Sequence, residues 1–557
     1  MLKDYFIEIT KDALIKAYGL EEKDIDLKVD VPKNKDFGDF AINISALSRI
    51  LKKSPLEIAA KTKEQISPEN FTINVVGGFI NFKVDKGILN QIVKEILDEK
   101  DDYLKTDIGK NEKVNIEYVS ANPTGPFHIG HGRWAALGSA LASIMNYCNY
   151  KVTQEFYVND AGNQIDKLAK SLETRVRELK GEDIELEEGL YPGEYLIDCA
   201  KKYIEDNKGL SYAEFAKTDM INQQKELLKE FRVNFDVFYS ELDLYKNHEV
   251  DKTLNELKQK GKIYQKDSAT WFKSSEYGDS QDRVLIKTDG KNTYLTADIA
   301  YHKNKFDRGF DRLINIWGAD HHGYIARMKA SLEALGYDSS KLEIILGQLV
   351  NIIQDGEQMR MGKRKKMVTL KDLVDEVGVD ATRFWMIMRS SDTTIDFDID
   401  LAKSQSDKNP VFYVQYAHAR ACSILRKAVD IRVDIDNKTE LDPLLSQEEI
   451  DKFYIEADIL PLFDNLSQEQ LEAIKDLILK LEEGRVLLYN AVYYRAPYMI
   501  CKYLLELANS FHHFYNYTRV LSDNKKDSLM KLSLVNSFRI IMAKMLDLIG
   551  VEAPQKM

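Results

Sequence analysis

Cysteine and proline are scarce in this 557-residue chain, with only four Cys and 11 Pro. Cys148, Cys199, Cys422 and Cys501 lie far apart and never form a Cys-x-x-Cys pair. Neither a disulfide framework nor a thiolate zinc site is suggested. With only 28 Gly as well, the chain is neither collagen-like nor a low-complexity segment. No run of about eighteen apolar residues occurs, and Met1-Leu2-Lys3-Asp4-Tyr5 has no basic stretch followed by an apolar one. Neither a membrane span nor a secretory leader is expected, and a reducing cytoplasm is the expected location. An excess of positive charge is also missing: 78 Lys+Arg against 90 Asp+Glu leave −12. That disfavours nonspecific nucleic-acid binding by the whole chain and leaves local basic faces open.

The length predicts about three or four domains. A helical pattern around Phe6 to Tyr18, a possible helix start at Ser54-Pro55, and strand-like alternation from Phe71 to Val84 broken by Gly77-Gly78 predict a small α/β domain over 1–110. From Val114 apolar strands alternate with helices: Val114 to Val119, a helix after Gly130, Lys151 to Val158, Leu313 to Trp317, a helix after His322, and Leu342 to Leu349. This predicts a Rossmann-type, doubly wound parallel sheet over 111–350, with a charged helical insertion at about 170–248. A connecting region follows over 351–405. From 406 to 557 the signals are helical, and Ser446-x-x-Glu449 and Ser467-x-x-Gln470 have the form of capping boxes; an all-α helical bundle is predicted.

The most informative segment runs from Glu117 to Arg133 and contains His128-Ile-Gly-His131. Placed between a strand and a helix, its Gly125, Gly130 and Gly132 would let backbone approach a ligand at a helix N-terminus, where N–H groups favour phosphate. Two imidazoles three positions apart could then stabilise charge building on phosphorus. Taken alone, the same residues fit an ordinary turn with unremarkable histidines, or part of a metal site without an evident third ligand. Arg360-Met-Gly-Lys363-Arg364-Lys-Lys366 offers a basic counterpart that could meet a departing pyrophosphate, or is simply a solvated charge run.

Together these stretches resemble the class I aminoacyl-tRNA synthetases: His128-Ile-Gly-His131 matches the family's HIGH signature, and Arg360-Met-Gly-Lys363-Arg364 is similar to its KMSKS loop. The resemblance to the arginyl-tRNA synthetases covers nearly the whole chain. It includes Ser120 through Arg133, Tyr294-Leu-Thr-Ala-Asp-Ile-Ala-Tyr301, Gly318-Ala-Asp-His-His-Gly-Tyr324, Asn409 through Arg420, and Gly550 through Met557. Arg360 and Gly362 depart from the second signature, so a catalytic role for that loop falls on Lys363.

The resemblance implies ATP-dependent attachment of L-arginine to tRNA(Arg) through an arginyl-adenylate, with Mg²⁺ accompanying ATP and no structural metal held by the protein. It implies His128, His131 and Lys363 as catalytic residues. ATP would be bound by Pro123, Gly125, His128, Gly130, His131, Gly132, Gly318, Met361, Lys363 and Arg364. Arginine's planar fork needs carboxylates and a stacking surface, and the implied arginine site is Glu117, Ser120, Asn122, Tyr294 and Asp298, with Asp320 a further candidate. Anticodon-loop contacts are expected on the bundle through Tyr413, Tyr416, Arg420, Tyr517 and Arg519, aromatics and bases that suit unpaired RNA. Elbow contacts are expected on the N-terminal domain, and a monomer is the expected form. Other readings are a ligase for another amino acid or small carboxylate, a catalytically silent RNA-binding relative, and a histidine-bound metal hydrolase.

Overall fold

The computed structural model describes residues 2–32, 34–358, 369–430 and 443–557, together with the backbone of 432–434 and 439–441. The N-terminal region packs helices Leu2–Tyr18 and Pro55–Lys63 with an antiparallel sheet of order β1-β2-β4-β3, where β1 is Val29–Asp30, β2 Phe40–Asn43, β3 Phe71–Val76 and β4 Phe79–Val84. Ser54 caps the second helix by accepting from Glu57 N–H at 3.2 Å, with Pro55 in the first turn, where no amide donor is needed. Gly77, at φ +58°, supplies the left-handed residue of the two-residue turn between β3 and β4. Phe6 stacks on Phe82 at 4.4 Å and closes the small core.

Five strands form the central sheet: β5 Lys113–Glu117, β6 Lys151–Val158, β7 Val237–Ser240, β11 Arg312–Gly318 and β12 Leu342–Gly347. The order is β12-β11-β5-β6-β7 and every pairing is parallel. Val114, Ile116, Leu313 and Ile314 are fully buried, as expected of parallel strands covered on both faces. Between β7 and β11 lies a separate antiparallel sheet, β8 Ile263–Lys266, β9 Ala269–Phe272 and β10 Arg283–Ile286. The sequence pattern gave no warning of it.

Helices Asn163–Leu179, Tyr195–Glu205 and Tyr212–Glu230 stand between β6 and β7, with their own apolar cluster around Leu172, Leu196 and Phe215. The helical stretch expected over 170–248 also contains β7, whose four residues are all only half-buried and show no alternation to betray a strand. After β12 the chain forms β13 Val350–Gln354 and β14 Glu357–Gln358, and β15 Ile395–Asp398 pairs in parallel with β13.

The C-terminal region consists of helices Pro410–Val429, Gln447–Glu456, Gln468–Tyr493, Tyr498–Tyr517 and Lys525–Leu548, plus a small antiparallel pair, β16 Arg432–Asp434 and β17 Thr439–Leu441. Ser446 with Glu449 and Ser467 with Gln470 form reciprocal capping boxes. Residues 549–555 tie this bundle to the core. Arg383, in helix Val379–Ile387, is 1% exposed and donates to Ile549 O, to Phe231 O and to Ser139 Oγ. Arg232 reaches Gly550 O, Gln415 reaches Glu552 O, and Arg426 reaches Gln555 O.

Candidate active site

The chain winds from β5 outward to β6 and β7, then returns to place β11 on the other side of β5. The carboxyl ends of β5 and β11 thus flank a topological switch point, the crevice where open parallel sheets bind ligands. The loop after β5 is strained on entry, with Val119 at φ +67° and Ser120 at φ +42°. A β-branched residue rarely adopts that conformation, and it persists only where the surroundings impose it. Ser120 is held by Glu117 and by Tyr157 N–H, and the loop beyond it by the three inserted helices. Gln224, buried in helix Tyr212–Glu230, donates to Asn122 O at 3.1 Å and Gly125 O at 3.0 Å; Tyr195 OH donates to Thr124 O at 2.7 Å; and Asn122 Nδ2 donates to Gln164 Oε1 at 2.7 Å. Pro123 is buried within the same loop.

The loop delivers His128 to the cap position of helix Ile129–Tyr147. The backbone N–H of His128 donates to His131 Nδ1 at 3.2 Å, and the two rings stack with centroids 3.6 Å apart. Burial, and then the neighbouring ring of His128, push His131 down to about 3; burial also lowers His128. Both imidazoles are therefore neutral at physiological pH, and with Nδ1 of His131 accepting, its Nε2 carries the proton and can donate. A Cβ on Gly130 would meet the His128 ring at 2.9 Å and one on Gly132 would meet the Leu370 Cδ1 methyl at 2.5 Å, so both glycines leave room for these neighbours. Leu370 belongs to the chain returning after residue 368: Leu370 N–H donates to Phe127 O at 2.9 Å, and Thr369 pairs with His128 as an antiparallel bridge. Arg360, Met361, Gly362, Lys363 and Arg364 lie outside the described residues.

Beside the imidazoles the sheet edge holds a network of buried charges. Lys305 Nζ, fully buried, lies 2.6 Å from Glu117 Oε2 and 3.3 Å from Asn315 Oδ1, while Ser120 Oγ donates to Glu117 Oε1 at 3.0 Å. Both oxygens of Glu117 thus already have donors. His302 Nδ1 donates to Asp298 O at 2.8 Å and its Nε2 accepts from Asn315 Nδ2 at 2.8 Å, a neutral ring pushed down to about 3 by burial and by Lys305. Behind them Glu155 is satisfied by both arms of Arg308, each at 2.8 Å, by Tyr301 OH and by Asn115.

Asp298 accepts from Tyr324 OH at 2.5 Å and is pushed up to about 6, chiefly by burial and then by the charge of Glu117. Glu241, only 6% exposed, is pushed up to about 7 by burial, by Asp298 and by Asp160, against a hydrogen bond from Tyr157. Two crowded carboxylates with raised affinity for protons form a site that calls for a cation. Tyr294 stands one helical turn before Asp298 and is 75% exposed. Gly318 ends β11; Asp320 is exposed beside it and lies 3.7 Å from His321, outside the buried carboxylate pair.

The sequence reading missed Glu241, Lys305, Gln224 and Tyr195. Asp298, His302 and Lys305 follow the i, i+4, i+7 spacing of one helix face, a signal that was available. Glu241 carried none, since the strand that presents it was not recognised.

In the bundle, Tyr413, Tyr416 and Arg420 do come together. They line a groove of about 540 Å³ with Asp407, His512 and Asn516. Arg420 lies over the Tyr515 ring at 4.1 Å, and Tyr416 is 41% exposed. Tyr517 meets His513 edge-on at the groove's margin, whereas Arg519 turns to Leu521 O; neither lines the groove. Among the described residues no cluster of His, Cys, Asp or Glu is arranged to hold a metal, and no helix is long and apolar enough to cross a membrane.

Three family models match successive parts of the chain: the Arginyl tRNA synthetase N terminal domain over 4–84, the tRNA synthetases class I (R) catalytic domain over 92–396, and the DALR anticodon binding domain over 414–557. Arginine–tRNA ligase 1 of Halalkalibacterium halodurans is 42% identical over 563 residues, covering 98% of this chain and 97% of its own. Arginine–tRNA ligase of Listeria monocytogenes is 43% identical over 570 residues, covering 99% and 98%. The structure of Thermus thermophilus arginyl-tRNA synthetase superposes with a TM-score of 0.75 over 100% of both chains at 23% identity, a likeness of fold.

Proposed function

The chain belongs to the arginyl-tRNA synthetase family, and from that premise we propose how its residues carry out the family's reaction, the ATP-dependent ligation of arginine to tRNA. The reading rests on a neutral imidazole pair at a helix N-terminus in the loop after β5, and on the buried carboxylates Asp298 and Glu241, which act on each other and, through Asp298, on Glu117 at the end of that strand.

Asp298 and Glu241 hold the guanidinium, with Tyr294 over its face and Tyr324 and Tyr157 fixing the carboxylates. Glu117, Ser120 and Asn122 hold the backbone end of arginine, their orientation set by Lys305 and Gln164. ATP lies over Pro123, Gly125, Gly130, Gly132 and Gly318, where backbone can approach it. The arginine carboxylate attacks the α-phosphorus in line; the bond to the bridging oxygen breaks, and pyrophosphate leaves with the electron pair. His131 Nε2–H and His128 stabilise charge on the phosphoryl oxygens without transferring a proton to them. Lys363, with Met361 and Arg364 beside it in sequence, meets the leaving pyrophosphate. A terminal ribose hydroxyl of tRNA then attacks the arginyl carbonyl and releases AMP.

Mg²⁺ bound to ATP would neutralise phosphate charge; the described residues offer no cluster of ligands for it, and it would ride on the phosphate oxygens. Tyr413, Tyr416 and Arg420 receive unpaired anticodon bases, with Tyr517 and Arg519 as outlying RNA contacts. The division into an elbow-binding domain over 1–110, a catalytic core over 111–350, a connecting region over 351–405 and an anticodon domain over 406–557 fits this arrangement. One chain furnishes every group named, so we take it to act as a monomer, in the cytoplasm, where its four free cysteines stay reduced. Arginine- and tRNA-dependent pyrophosphate exchange tests the whole reading. Exchange supported equally by another amino acid would overturn the arginine assignment.

A further inference from the structure

Arg133 lies in the first turns of helix Ile129–Tyr147, five residues after His128, and is fully buried. Its guanidinium forms no ion pair among the described residues, although the charge of Asp392 is felt there. It donates instead to four main-chain carbonyls: NH1 to Gln348 O at 2.7 Å and Leu349 O at 3.4 Å, NH2 to Ser390 O at 2.8 Å and Thr393 O at 2.7 Å. Gln348 and Leu349 join β12 to β13, and Thr393 leads into β15. The same two stretches also bond directly, Gln348 N–H to Ser391 O and Ile395 N–H to Leu349 O. The chain leaves the β13–β14 pair at 358 and is described again from Thr369. Thr369 opposite His128 and Leu370 N–H on Phe127 O fasten the returning chain beside the imidazoles, while Arg133 fastens the residues that enter β13.

A buried cation is costly, yet an apolar side chain in its place would take the donor away from four main-chain carbonyls. What the planar fork adds is direction, since four acceptors fix the helix against two strands in both distance and rotation. We propose that Arg133 is a positioning residue for adenylate formation, setting where the helix that carries His128 and His131 stands against the strands β13 and β15. This rests on the reading of His131 given above.

The test compares Arg133→Lys and Arg133→Gln with the parent, alone and combined with His131→Ala, in arginine- and tRNA-dependent pyrophosphate exchange, with thermal unfolding alongside. Lysine keeps the charge but cannot span four carbonyls. Arg133→Lys is expected to fold and to lose about 10- to 100-fold in kcat, since a displacement of about 1 Å costs that much. The arginine KM stays within about twofold, because ground-state binding is untouched, and Arg133→Gln loses more. In the His131→Ala background the loss from Arg133→Lys shrinks, because the two act through one geometry. A folded Arg133→Lys with the parent's kcat, full additivity with His131→Ala, or failure of both variants to fold would overturn the inference. Normal exchange by His131→Ala alone would instead remove the reading on which it rests.

Discussion

Replacing Glu241 by Gln separates what the carboxylate does for the substrate from what it does to the empty protein. Its carboxyl is pushed up to about 7 from an ordinary 4.5, by burial and by Asp298 and Asp160. The folded protein therefore holds this proton more tightly than the unfolded chain. Between about pH 4.5 and 7 the unfolded state has already released it, so ligand-free stability falls as pH rises through that window. The difference corresponds to roughly 3 kcal/mol once pH exceeds 7. Glutamine keeps the shape and does not titrate. The ligand-free variant is expected to exceed the parent by up to roughly 3 kcal/mol at pH 8, and to match it at pH 4.5. The arginine KM moves the other way, up by about 100-fold, because a desolvated ion pair to the guanidinium loses one partner. Urea unfolding at the two pH values, with pyrophosphate exchange at pH 8 varying arginine and ATP separately, reads both. A variant less stable than the parent at pH 8, with an unchanged arginine KM, would refute the placement of Glu241 in a cation site.

Asp298→Ala should raise the arginine KM far more than the ATP KM in the same exchange assay, and equal effects on both would remove it from the pocket. Gln224→Ala frees the carbonyls of Asn122 and Gly125; the strained loop should relax, and kcat should fall about 10-fold for a shift of less than 1 Å, while an unchanged kcat would show that the inserted helices do not hold the loop. Arg420→Ala should raise the tRNA KM about 10-fold, in line with the loss of roughly 1–3 kcal/mol per stacked base, without touching the arginine KM in exchange; if charging kinetics are unaltered, the groove does not bind tRNA.

Elements with strong local periodicity were legible in the sequence. Strand Lys151–Val158 spans the expected residues, helix Pro55–Lys63 begins at the expected Ser54-Pro55, and the boxes at Ser446 and Ser467 cap real helices. What escaped was held by distant contacts. Val237–Ser240 is a strand only because β6 lies beside it, and Ile263–Ile286 forms three short strands of four residues each, too brief for alternation to register. The site divided the same way. Asp298 and the imidazoles travelled with recognisable spacing, whereas Gln224, Tyr195 and Glu241 act across the fold, and no local pattern announces a glutamine whose task is to satisfy two carbonyls about a hundred positions away.

Residues 549–555 are translated after everything they join. A chain stopped before Ile549 leaves Arg383 entombed with two of its three acceptors, and a buried cation deprived of an acceptor is penalised heavily. The helix bearing His128 and His131 touches that guanidinium through Ser139, so the tail and that helix share one buried donor. Losing the Ile549 carbonyl would therefore be felt at the helix that carries the two imidazoles, far along the chain from the residue removed.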